Sequence, residues 1–143
     1  MIIQKANGHV INTKSVYIHD DILLSMDFDP VKRCLTLSLR DWQGKPDDAP
    51  YTIVFHDTLG FEVSACGYWG GGDECMFDFE YVCPTKRELL PKLEDRWQAE
   101  THEILKSTRS FHEYMETLLT SHSGDRLRVV CKAIEYNKRL HDE

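Results

Sequence analysis

The chain has 143 residues, 41% of them hydrophobic and 29% charged, and 24 acidic against 17 basic side chains leave a net charge of −7. That length suits one domain, 1–143, with a core able to stand without metal or disulfide staples. The acidic balance argues against a nucleic-acid partner and for a basic one, while the lack of a long apolar run or a signal peptide argues against a membrane and for a cytoplasmic protein.

Met1–Gly8 is weakly patterned, and His9–Ile18 carries enough β-branched residues for a first strand. In the next strand Ile22, Leu24, Met26 and Phe28 alternate with Leu23, Ser25 and Asp27, until Asp29-Pro30 stops it. Arg33–Asp41, with Leu35, Leu37 and Leu39 on one face, pairs with it as a hairpin. Trp42–Pro50 reads as an exposed loop and Tyr51–His56 as a short strand.

Leu59–Cys66 and Cys75–Cys83 alternate with period two, and Gly70-Gly71-Gly72 lies between them. They are expected to pair as an aromatic hairpin at the centre of the fold, the last part of an antiparallel meander. Thr85-Lys86-Arg87-Glu88 has capping-box spacing, and Pro91 predicts a short first turn and a restart near it. Leu90, Leu93, Trp97 and Ile104 then mark one face of a helix to about Lys106. Ser110–Ser121 fits either a short helix or a strand, Glu113–Ser121, that turns at Ser123-Gly124-Asp125 into Arg126–Tyr136. The hairpin is preferred because a late strand needs a partner. A frayed tail is expected over about 137–143. The whole reads as α+β: a twisted antiparallel sheet or open barrel of about seven or eight strands, with one main helix packed on it.

Several short motifs, His19-Asp20-x-x-Leu23, Cys66-Gly67-Tyr68-Trp69-Gly70, Asp78-Phe79-Glu80 and Ser123–Lys132, occur together. In this combination the chain resembles small uncharacterised bacterial proteins, some of them similar to immunity proteins of toxin loci. The resemblance spans roughly His19 to Glu135, and Gly71-Gly72-Asp73-Glu74 departs from it. It implies a β-rich cytosolic domain and supplies no catalytic residue.

Two His-Asp pairs, His19-Asp20 and His56-Asp57, carry residue types suited to general acid–base work or metal binding if neighbouring strands bring them together. Each also lies at a strand end, where polar residues serve turns. Tyr68 and Trp69, with Asp73 and Glu74 behind the glycines, have the composition of a recognition loop; alternatively Trp69 folds back and plugs the sheet. His102-Glu103 and His112-Glu113 lack the second histidine of a zinc-protease motif, and no GxSxG or P-loop occurs. Five cysteines without CxxC spacing read as reduced structural thiols, with Cys66 and Cys75 as an alternative redox pair.

No cofactor or metal is expected, and no residue is singled out as catalytic. The function expected is a non-enzymatic protein-interaction module, immunity-like, that meets a basic protein through an acidic and aromatic surface. A small-ligand site at the open end of the barrel is the second expectation. A hydrolase or metal-dependent enzyme built on His19, Asp20, His56 and Asp57 is the third.

Overall fold

A computed structural model describes residues 2–6, 9–10, 16, 18–45, 47–64, 75–100, 111–122 and 124–138. Ten strands run through them: β1 (Ile2–Ala6), β2 (His9–Val10), β3 (Asp21–Asp29), β4 (Cys34–Arg40), β5 (Tyr51–His56), β6 (Gly60–Ser64), β7 (Cys75–Tyr81), β8 (Met115–Ser121), β9 (Arg126–Cys131) and β10 (Ala133–Tyr136). One α-helix, α1, spans Leu89–Glu100. The pairing is antiparallel throughout, in the order β2-β1-β10-β5-β4-β3-β7-β8-β9-β6. The fold is therefore α+β, with a sheet that is not closed into a barrel.

Alternation decides what is buried. Leu35, Leu37 and Leu39 of β4 face Ile53 and Phe55 of β5, and Leu127, Val129 and Cys131 of β9 complete the same core with Met115 and Leu119 of β8. Full burial of each large aliphatic side chain contributes about 1.5–3 kcal/mol, so this interior row carries most of the fold's stability. β9 and β10 are separated only by Lys132, which bends one long strand so that β9 serves β8 and β6 while β10 serves β1 and β5. The bend rolls the sheet round one core. Lys132 N–H donates to the His56 carbonyl across it at 3.1 Å.

The β3–β4–β5 meander is as expected, and the β8–β9 hairpin is the outcome for the segment read two ways. The central hairpin is not formed. Both strands exist, but β6 pairs with β9 while β7 lies between β3 and β8. Their alternation was real, yet alternation does not name a partner. The core correspondingly centres on β4, β5, β8 and β9, and Phe61, Phe79 and Tyr81 pack at its margin, partly buried.

A 3-10 turn, Pro84–Lys86, precedes α1, whose Pro91 falls in the first turn, where its missing N–H costs nothing. Leu89 and Leu90 pack with Tyr114 and Val130 on the outer face of the sheet, and Leu93 joins them. Gly60 permits this approach: a Cβ there would lie 2.8 Å from Leu93 Cδ1. Of the tail expected to fray, residues 137 and 138 are described: Asn137 N–H donates to the Thr52 carbonyl at 3.0 Å, and Lys138 Nζ lies 2.7 Å from Asp21. No helix among the described residues is long and apolar enough to cross a membrane.

Candidate functional sites

The two His-Asp pairs do not converge. Ile22 pairs with Arg40 at the end of β4, whereas Phe55, beside His56, pairs with Leu35 at its start. Arg40 and Leu35 lie five residues apart on that strand, a separation of about 17 Å. Asp20 and Asp57 both adopt left-handed backbone, with φ of 63° and 51°. Aspartate tolerates that region better than most residues, so each pair is first of all a turn. The register therefore does not bring His19 and Asp20 together with His56 and Asp57.

Asp20 and His56 instead find partners that are distant in sequence. Asp20 accepts from His122 Nε2 at 2.8 Å and lies 3.2 Å from His19 Nε2, tying the start of β3 to the β8–β9 turn. His56 stands between two groups. Its Nδ1 is 3.6 Å from Cys34 Sγ, and its Nε2 is 3.5 Å from Glu135 Oε1. The Cys34 thiol also lies 3.5 Å from the Lys32 carbonyl. Asn137 Nδ2 donates to Glu135 Oε2 at 3.0 Å and, with a smaller effect from His56, holds that carboxyl below its usual range. The register brings β4, β5 and β10 side by side, so three adjacent strands supply thiol, imidazole and carboxylate on one outer face. Spacing along the chain holds no hint of this.

Two buried carboxylates were also hidden in the sequence. Asp21 accepts from Tyr51 Oη at 2.6 Å, Lys138 Nζ at 2.7 Å and Trp42 N–H at 3.2 Å. Burial, followed by Asp21's acceptance of its proton, pushes the Tyr51 hydroxyl far above the ordinary range. Glu116, fully buried on the outer face of β8, accepts from the backbone N–H groups of Glu88, Leu89 and Leu90 at 3.0, 2.9 and 2.7 Å. It thus caps α1, in place of the expected Thr85–Glu88 box. Arg128 Nη1 donates to it at 2.8 Å, and Arg128 Nη2 lies 3.3 Å from Glu88. Every oxygen in these two clusters has a strong donor, which marks them as ties within the fold. A cavity of about 360 Å³ beside Arg128, also lined by Lys86, Arg87 and Glu80, is open and charged rather than apolar.

The remaining feature is a seam in the sheet. β3 pairs with β7 only through Asp21 and Ile22, so from Leu23 to Asp29 its pairing among the described residues is with β4 alone. β6 ends the sheet order. The two strands approach through side chains, with the Phe28 and Phe61 rings 5.2 Å apart. Phe28 and Val63 remain 36% exposed, and Val31, in the turn after β3, is 91% exposed. Asp27, Asp29 and Glu62 flank this apolar strip, with Lys32 and Arg33 beyond the strand end.

Tyr68, Trp69, Asp73 and Glu74 lie outside the described residues, as do Cys66 and His102-Glu103. Cys34, Cys83 and Cys131 are free thiols. No group of three metal-ligating side chains in suitable geometry occurs among the described residues. Comparison with known proteins finds no matching family model, curated protein or solved structure.

Proposed function

We propose that the chain is a protein-interaction module, immunity-like in kind, that receives an extended segment of a basic partner along the seam between β3 and β6. The observation that carries this reading is that, among the described residues, β3 pairs from Leu23 to Asp29 with β4 alone, beside the exposed side chains of Phe28, Val31 and Val63. A strand edge with unpaired N–H and C=O groups is a template for another strand, and alternate side chains of an added strand would fall on the apolar strip. Asp27, Asp29 and Glu62, on a chain of net charge −7, favour lysine and arginine at the flanking positions. The resemblance to immunity proteins points to the same partner class, a basic toxin domain.

Selection of peptides from a random display library on the immobilised protein tests this. Enriched peptides should alternate apolar with basic residues, bind more weakly as salt rises, and lose at least roughly tenfold in affinity to Phe28→Asp. His19→Gln, in the turn before β3 and away from Phe28, should bind as the parent does. A library that yields no binders, or binders indifferent to Phe28→Asp, would contradict the reading.

A further inference from the structure

Independently of the seam, we infer that Cys34, His56 and Glu135 form a nucleophilic thiol centre that accepts an acyl group from an activated ester or thioester. The three side chains are in relay order: Sγ to Nδ1 at 3.6 Å, then Nε2 to Oε1 at 3.5 Å. A carboxylate only accepts hydrogen bonds, so Glu135, 3.5 Å from Nε2, favours the His56 tautomer with its proton on Nε2, which leaves Nδ1 as a base facing the thiol. Nucleophile, base and a third group that orients the base constitute the general arrangement for activating a thiol. Asn137, donating to the other Glu135 oxygen, secures the orienting group in turn.

The centre lies on an open face of the sheet and is half-buried, not sealed: the His56 and Glu135 side chains retain 38% and 39% exposure. A carbonyl carbon attached to a large carrier can therefore reach Sγ. In the step, His56 Nδ1 takes the thiol proton while sulfur attacks the carbonyl carbon and forms the S–C bond. Collapse of the adduct breaks the bond to the leaving oxygen or sulfur, which receives the proton from His56. The acyl group remains on Cys34 as a thioester, and no electrons are transferred overall. Buried Cys131 cannot take this part, since its thiol is fully enclosed in the core.

The test is acylation of the reduced, folded protein by 4-nitrophenyl acetate, with the acetylated thiol located by peptide mass mapping. Cys83 is an exposed free thiol, lowered in pKa chiefly by the Thr85 hydroxyl, and serves as a demanding internal reference. Cys34 should acquire acetyl in the parent, and the ratio of Cys34 to Cys83 labelling near neutral pH should fall roughly tenfold or more in His56→Gln. Glu135→Gln should lower it several-fold and shift the pH profile of Cys34 labelling, a signature that loss of packing alone would not give. Unchanged Cys83 labelling in each variant certifies the fold. A Cys34 that remains unlabelled, or one whose labelling ratio is the same without the imidazole, overturns the inference.

Discussion

Glu116 accepts four hydrogen bonds while fully buried. Period two places it on the outer face of β8, where a carboxylate is ordinarily solvated, but α1 covers that face. Its two oxygens meet three orphan N–H groups at the helix start and the Arg128 guanidinium. The carboxylate also complements the positive end of the helix dipole. Removing it leaves a nearly buried arginine with only the exposed Glu88 at 3.3 Å. Glu116→Ala is expected to cost roughly 3–5 kcal/mol in urea unfolding, whereas Glu116→Gln, which keeps one acceptor oxygen, should cost less. A loss under about 1 kcal/mol for the alanine variant would mean that the cap and ion pair contribute little beyond their desolvation.

At the scale of elements, the letters disclose strands well and partners poorly. The strand expected over Tyr51–His56 has its observed bounds, and Arg33–Asp41 differs from Cys34–Arg40 by one residue at each end. Leucines at every second position against threonine, serine and arginine leave one reading. β1 escaped notice because Ile2-Ile3 is a brief signal, and its Ile3 is buried only because β10 arrives from the far end of the chain. The pairing of β6 with β9 rather than β7 depends on Val63 and Phe61 lying against Leu127 and Val129, a match between segments more than sixty residues apart. The same limit hid the thiol centre: Cys34, His56 and Glu135 are ordinary outward-facing residues until three strands align. The His-Asp pairs, conspicuous as dipeptides, owe their proximity to turn chemistry at Asp20 and Asp57.

For the whole molecule, the buried Tyr51 and Cys131 are expected to lower stability at alkaline pH. Both groups have raised values in the fold, through burial first. Between the unfolded value, about 10 for tyrosine, and the raised folded one, the unfolded chain has released a proton that the native state retains. Stability is therefore fully present below that pH and is lost as pH rises. The melting temperature should fall above about pH 9–10, and less steeply in Tyr51→Phe than in the parent. Equal slopes would show that Tyr51 does not carry the effect.

The sheet itself is joined through the bent β9–β10 strand, and among the described residues β3 is paired beyond Ile22 with β4 alone, which is the basis of the interaction reading. Backbone amide hydrogen exchange of the free protein examines that seam directly. Amides of Leu35–Leu39 in β4 and Ile53–Phe55 in β5, paired on both sides, should all exchange slowly, while from Leu24 to Asp29 every second amide should exchange fast, as befits a strand bonded on one side. Uniform slow exchange from Leu24 to Asp29 would mean that this edge is already occupied, and would contradict its use as a docking strand.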